Sequence, residues 1–450
     1  MVKIHGDKAM SNVLITEERL RLLEEERAQK RKSFFCEIEK TMGEGVVHEL
    51  SKLFGIYTEG LYIWLAGLWD SSTGGFYYSN SAKDTHGFLP DLESTIQALR
   101  IVRCTGLLSS RGVSPAVPEK MRIAVANFAK NLQSPDDGYF YHPQWGKRIG
   151  VPRRGRDNTW GLKLIEEMGE KPLYPTSLER LSSKEKVCTA PEHLRSLEDF
   201  KKYLSGFDLE HKSYSTGNIL QAQCQQIIAA GQDYVDALFK WLDAGRKENG
   251  LWEEQINYAS VNGLMKLTMI YTVCKRPMSN IERALESAIA AAMSDEEVTF
   301  CCEYYNPLIT INMLRNSIEA DNSTPNGSVF GACLKRDAEK LIRITREKVS
   351  LCLKEDGSFS YTPKFSAYRS QGAPVSLFET NEGDVNATQI STVGTVSQIT
   401  SMLVGIDSTP LYFEGDSKLF FDLIENAEPI KKVYPKPEYI EEILSGYAKR

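Results

Sequence analysis

Apolar residues recur every three or four positions through most of the chain, and two kinds of such stretch alternate. Met121–Gln133, Val235–Leu242, Ile281–Met293 and Ala338–Leu353 carry charge on the side opposite their apolar residues, the pattern of a helix with one face in solvent. The other kind is poor in Lys and Glu and rich in Ala, Ser, Thr and Gly. It opens on Asp or Asn, at Asp91, Asp157-Asn158, Asn218, Asn262, Asn306 and Asn386. These residue types are favoured N-caps because a side-chain oxygen takes up a backbone N–H that the helix leaves free, and Pro307 suits a first turn. The six starts predict six inner helices, with the amphipathic segments as an outer layer.

A shorter pattern punctuates the helices. Gly74-Gly75-Phe76-Tyr77-Tyr78, Asp137-Gly138-Tyr139-Phe140-Tyr141, Asn249-Gly250-Leu251-Trp252 and Asp356-Gly357-Ser358-Phe359 each place a glycine turn before aromatic or apolar residues. The glycine supplies the positive φ of a tight turn, and the alternation predicts a short extended stretch packed on one side. The intervals Gly138 to Gly250 and Gly250 to Gly357 are about twice a helical-pair unit, so two units lack the turn. Six alternating pairs predict an all-α fold, an (α/α)6 toroid with short aromatic hairpin-like inserts, over residues 46–427. An open solenoid fits less well, since its repeats keep one length and lack such inserts. Residues 1–45 are expected to hold one charged helix, Ile15 to Met42, capped by Thr16 with Glu17 and Glu18 in its first turn. Residues 428–450 read as a Pro- and Lys-containing connector with a short helix, and Leu173–Leu194 and Ser317–Val329 as loops.

The 450 residues include 54 Lys+Arg and 60 Asp+Glu, a net charge of −6. So mild a charge gives no general attraction to nucleic acid or an anionic membrane. No run of ~18 apolar residues and no apolar signal region of about 7–15 residues occurs. Nine cysteines without a C-x-x-C pair read as reduced thiols, and the expected location is the cytoplasm.

The glycine-aromatic turn followed by a small-residue helix resembles the α/α-toroid superfamily of terpenoid cyclases, protein prenyltransferases, six-hairpin glycosidases and polysaccharide lyases. Asp356-Gly357-Ser358-Phe359 with Glu382-Gly383-Asp384-Val385 is similar to the pattern of prenyltransferase β-subunits, and Gln133 with Asp137-Gly138-Tyr139-Phe140 loosely resembles the triterpene-cyclase Gln-Gly-Trp motif. The resemblance implies a central cavity, but the isoprenoid chemistry has lost its motifs. No late histidine completes a prenyltransferase zinc triad, and neither Asp-x-Asp-Asp nor an Asp-rich diphosphate motif is present. A carbohydrate-active enzyme, a glycoside hydrolase or lyase acting on a small, possibly uronate-bearing oligosaccharide, is therefore the expectation. The alternatives are a terpenoid cyclase or prenyltransferase-like enzyme and a non-catalytic binding toroid. Without a P-loop, Rossmann fingerprint or H-E-x-x-H, no metal or cofactor is expected.

Converging helix N-termini would favour an anionic ligand at one mouth. The connections before the inner helices supply the candidate catalysts Asp70, His86, Asp157, Glu254 and Glu303. Trp69, Tyr78, Trp160, Trp252, Tyr258 and Tyr305 are candidate sugar-stacking residues, with Arg154 and Arg156 as anion contacts. A hydrolase needs two facing carboxylates, whereas a lyase needs a base and a group that stabilises an enolate.

Overall fold

A computed structural model describes residues 15–108, 117–182, 191–320, 327–404 and 411–448. It is mostly helical. The helices are α1 (Glu17–Met42), α2 (Glu44–Gly55), α3 (Glu59–Gly67), α4 (Asn80–Asp84), α5 (Leu92–Cys104), α6 (Glu119–Asn131), α7 (Val151–Glu167) and α8 (Ser177–Ser182). They continue as α9 (Leu197–Ser205), α10 (Leu209–Ala230), α11 (Gln232–Ala244), α12 (Tyr258–Val273), α13 (Ile281–Ala292) and α14 (Cys302–Ala320). The last are α15 (Gly327–Ser350), α16 (Val385–Thr392), α17 (Val396–Val404), α18 (Glu414–Glu425) and α19 (Tyr439–Ala448). Two antiparallel pairs of very short strands, β1 (Trp69–Asp70) with β2 (Gly75–Phe76) and β3 (Arg369–Ser370) with β4 (Ala373–Pro374), interrupt them. Among the described residues no helix is long and apolar enough to cross a membrane.

The expected helix starts hold at Asp91, whose side chain accepts from Ser94 N. The others shift towards the N-terminus. Asp208 caps α10, Asn257 caps α12 and Asp384 caps α16, so Asn218, Asn262 and Asn386 lie inside their helices. Asn257 forms a capping box with Ser260, and Asp384 takes Ala387 N, so in both cases the acceptor nearer the turn captures the free N–H groups first. Asp157 lies well inside α7, which opens with Pro152 in its first turn, and Asn306 and Pro307 lie inside α14. The expected loop Ser317–Val329 is helical at both described ends, and 321–326 fall outside the described residues. In the other expected loop, α8 and a 3-10 turn at Glu192–Leu194 flank residues 183–190, also outside them.

The four glycine turns form as one repeated device. Gly74, Gly138, Gly250 and Gly357 all have positive φ, and a residue one to three positions on bonds back across the turn. In the first and last copies the following helix is held identically. Phe76 N donates to Thr95 Oγ1 at 3.1 Å, and Phe359 N to Thr388 Oγ1 at 3.0 Å, in each case to the residue four positions after the capping aspartate. At Gly357 (φ 84°) a Cβ would lie 2.5 Å from Leu61 N at the start of α3, and at Gly250 it would meet the backbone of Ala284 in α13. Glycine is required there both for φ and for the close approach of a second backbone.

Further contacts bring the regions of the first and last glycine turns together. Val385 N donates to Tyr78 O at 3.0 Å, Ser79 bridges Asp384, and α16 packs on α5. Further packing pairs α5 with α7, α10 with α12, α12 with α14, and α14 with α16 and α17. The helix α1 belongs to the same body. Its buried Arg27 pairs with Asp416 of α18 at 2.6 Å and with Glu59 of α3 at 2.8 Å. One hydrophobic cluster runs from Leu23 to Leu444.

Gly357→Ala is expected to lower the unfolding free energy by about 3 kcal/mol or more, since strained φ and a backbone collision add. Gly231→Ala, at φ 125° with nothing within 4 Å, should lose only about 1 kcal/mol. Urea unfolding of the two variants checks the difference, and equal losses would mean that the Gly357 contact is not tight.

Candidate functional site

Two turns of sequence logic bring a buried charge cluster together. Asp91 ends the loop before α5, which places Glu93 in the first turn, while Pro152 starts α7 so that Arg153 and Asp157 follow one turn apart on one face. The Arg153 guanidinium, with no exposed surface, meets three carboxylates at 2.9 Å: Asp91 through Nη2, Glu93 through Nη1 and Asp157 through Nε. Its Nη1 also donates to Ser370 O at 3.3 Å. Ser370 Oγ donates to Glu93 Oε2 at 2.7 Å, and His142 Nε2 lies 3.2 Å from Asp91 Oδ2.

Three acids around one cation leave negative charge to be managed. Burial pushes Asp91 up, but Arg153, His142 and the Ser94 N–H outweigh it and hold the carboxyl well below its usual range. Asp157 goes the other way: burial dominates, Asp91 repels it, and the pull of Arg153 and His142 leaves it at about 6. Its Oδ2 is buried without a hydrogen-bond partner, so the charged form lacks a donor there, in line with the rise. Nearby Asp384 is pushed by burial to about 7 against the N–H groups of Ala387 and Ala367, with Glu382 adding to the rise. The buried Tyr78 hydroxyl, without a partner, feels Asp384, Glu93, Arg153 and Asp91 together.

A second layer lies on the same helix faces. The half-buried Arg156 reaches Glu93 Oε1 at 3.0 Å, a contact outside hydrogen-bond geometry and so ionic in character. One turn on from Arg156, Trp160 lies under the Arg100 guanidinium, 4.5 Å from its ring centroid. Lys266 of α12 stays half-buried on a helix buried on most sides. Burial and the repulsion of Arg156 lower its pKa, and burial lowers that of Arg100. Among the described residues neither Arg100 nor Lys266 has a carboxylate within ion-pair distance, and Cys302 and Tyr305 of α14 act on these cations electrostatically. Unpartnered buried polar atoms share these faces: Gln97 Oε1 between Glu93 and Arg100, Asn262 Oδ1 one turn before Lys266, and Trp160 Nε1. An array of cations, amides and aromatic faces in which Glu93 pairs with Arg156 and Glu167 acts on Arg100 only from beyond ion-pair distance is chemically suited to a small anionic ligand.

The structure brings Asp157, Tyr78, Arg156, Trp160 and Tyr305 into this region. Other candidates serve elsewhere. Asp70 accepts from Ser72 and Thr73 and shapes the first glycine turn. His86 is exposed. Glu254, with its side chain 72% exposed, pairs with Lys247, and Glu303 turns back on Thr299 and Phe300 at the start of α14. Trp69 packs on Phe76. Trp252 is buried with Nε1 on Leu242 O, and Tyr258 bonds Glu296. Arg154 is half-buried with Nε unpartnered. Among the described residues no three His, Cys, Asp or Glu side chains could hold a metal ion. The site residues outside the sequence list are Arg153, Glu93, His142, Arg100, Lys266 and Cys302. The spacing Glu93, Gln97, Arg100 along one face of α5 was the available signal.

No family model matches the chain, and no curated protein or solved structure matches it.

The Asp157 carboxyl has a folded pKa raised above that of an unfolded aspartate. Its contribution is therefore fully present below about pH 4 and lost as pH rises through about 6, on the order of 3 kcal/mol in total. Asp91, with its pKa lowered, contributes in the opposite sense, above its ordinary pKa. Asp157→Asn should thus flatten the fall in stability between about pH 4 and 6, as read by urea unfolding at stepped pH. An unchanged profile would show that Asp157 ionises as it does in water.

Proposed function

We propose that the protein is an oligosaccharide lyase that cleaves a small uronate-bearing substrate in the central pocket of an (α/α)6 toroid. The observation that carries this reading is the trio Arg100, Arg156 and Lys266 beside Trp160 and Tyr305, with Glu93 the one carboxylate among the described residues within ion-pair distance of it. The contacts that run from α5 through α7, from α10 through α12 to α14, and from α16 back to α5 support the toroid.

Elimination from a uronate needs the negative charge of the carboxylate offset, so that the proton beside it becomes removable. Arg156 and Arg100 are suited to that role as fixed cations. Lys266, whose pKa burial lowers, is suited to take the proton as a neutral amine. Electrons from the broken C–H bond then form the double bond and expel the glycosidic oxygen. Tyr305, held protonated by burial with its pKa up at about 12, is suited to protonate that oxygen. Transfer of the lysine proton to the tyrosine oxygen restores both groups. A hydrolytic route finds less support, because Glu254 faces solvent and Glu303 caps its own helix. The second reading, an isoprenoid diphosphate in the same pocket, is favoured by the same cations and by the glycine-turn motif. A cytoplasmic setting belongs to this proposal. The described cysteines are all free, and Cys224 and Cys274 remain thiols with sulfurs 3.8 Å apart.

A panel of uronate oligosaccharides should give the ultraviolet absorbance of unsaturated uronates. Lys266→Met and Arg156→Gln should each lower kcat/KM about 10²–10⁴-fold, with Glu254→Gln unchanged. New reducing ends without that absorbance would replace the lyase by a hydrolase. Saturable binding of a prenyl diphosphate with no sugar turnover would favour the isoprenoid reading, and binding of a uronate with no turnover a binding toroid.

A further inference from the structure

The chain between α18 and α19 crosses the connections that lead into three other helices. Val433 N and Tyr434 N donate to Asp84 O at 2.7 and 3.0 Å, and His86 N donates to Tyr434 O at 2.8 Å, so the segment lies along the loop before α5. Lys432 Nζ donates to Ala82 O at 3.0 Å and to Phe88 O at 2.9 Å, and it sits 4.0 Å from the Tyr77 ring centroid. In the loop before α7, Lys436 lies 5.9 Å from the Trp145 ring centroid, and Arg148 pairs with Glu441 of α19 at 3.4 Å. Helix α19 then packs on β4, in the connection before α16, where the Tyr439 hydroxyl donates to Ser376 O at 3.2 Å.

The β3–β4 hairpin beneath α19 closes off the Arg153 cluster. Its Ser370 supplies a carbonyl to Arg153 and a hydroxyl to Glu93, and its Pro374 O accepts from Trp145 Nε1 at 3.0 Å. Trp145 stacks on His142, the neighbour of Asp91, with 5.7 Å between ring centroids. The fastenings of this cover are slighter than what it covers. Val433, 61% exposed, and Tyr434, 55% exposed, leave the strap held by main-chain bonds and lysine ammonium groups. Exposed ion pairs such as Arg148 with Glu441 add little. Ile440 and Leu444 are buried anchors of α19, yet a cleft of about 340 Å³ opens at its seam, lined by Tyr368, Arg369, Phe378, Tyr439, Glu442 and Ile443. Protein interiors are close-packed, so a gap of that size marks a docked face and not a continuous core. Segments with few buried apolar contacts open more readily than core helices.

We propose that residues 429–448 form a lid over the Arg153 cluster. In the opening step α19 undocks from the hairpin and the strap leaves the Asp84–Phe88 loop and Trp145. The hairpin, released on that side, lifts Ser370 away from Glu93 and Arg153 and opens a route from solvent to both. The lid is independent of the lyase reading, because it concerns access to the cluster and not the chemistry beside it.

Amide hydrogen exchange of the full chain, read by peptide mass mapping at low urea concentrations, tests this. Segments 430–447 and 367–376 should both exchange at least about 100-fold faster than α5 and α12. Their exchange should also respond little to urea, because undocking exposes far less surface than unfolding does. Lys432→Met removes two carbonyl bonds and a ring contact from the closed form alone. It should therefore speed exchange in both segments together, by about tenfold. Exchange at 430–447 as slow as that of α5 overturns the lid. Fast exchange there with 367–376 as slow as α5 also overturns it, since α19 would then be fraying without releasing the hairpin. Both of these results come from the unaltered chain and need no variant to fold. A hairpin that exchanges fast but is unmoved by Lys432→Met while 430–447 responds would open by itself, and that too overturns the proposal.

Discussion

One guanidinium organises the region where the helices meet. Arg153 has no solvent contact and three carboxylates at 2.9 Å, so its desolvation is offset only if all three acids arrive. Two of them come from the start of α5 and one from its own helix, and a fourth contact, the Ser370 carbonyl, comes from the distant strand β3. A buried ion group of this kind adds little net stability, but it is intolerant of a missing member. It therefore fixes how α5, α7 and the β3–β4 hairpin sit together more strictly than apolar packing would. The surplus negative charge appears as the raised pKa of Asp157, and Glu93 carries the link outward to Arg156 and the cationic layer.

Much of the helical plan was legible in the sequence because periodicity and capping are local. The Thr16 cap, the Asp91 cap and the four glycine turns follow from residue types within a few positions of one another. The amphipathic segments likewise became α6, α11, α13 and α15, since a helix with one wet face keeps its period whatever lies beneath it. The helix starts were misplaced where two acceptors compete. Nothing in the sequence alone says that Asn257 will cap and Asn262 will sit inside, because both have the chemistry and only the turn geometry chooses.

The site was less legible for a related reason. Asp70 at the first glycine turn and Glu303 at the start of α14 are both consumed by local N–H and hydroxyl groups. Asp157 looked the same in the sequence and yet lies in the cluster, because Pro152 moved the start of α7 upstream and put it a turn inside. Lys266 gave no signal as a candidate, and Arg100 only its spacing from Glu93 and Gln97, since a lone cation in a helix usually reaches solvent. Only tertiary placement, on faces turned towards other helices, makes them half-buried and unpaired. Long-range juxtaposition of this sort is invisible to a pattern of spacings.

The bond between Val385 and Tyr78, and the seat of Gly357 on the start of α3, also set an order for the birth of the molecule. A ribosome delivers α3, α5 and α7 long before it delivers Ser370 or α16. During that interval the first helices have no partner for one flank, and Arg153, Asp91 and Glu93 remain wet. The late contacts span most of the chain, so their loop-closure entropy is met only at the end of synthesis. A chain halted before the Gly357 turn would hold helices but no sealed charge cluster, with the apolar face that α16 covers still open. Such a fragment is prone to aggregation, which makes the final quarter of the sequence the part on which solubility during synthesis depends.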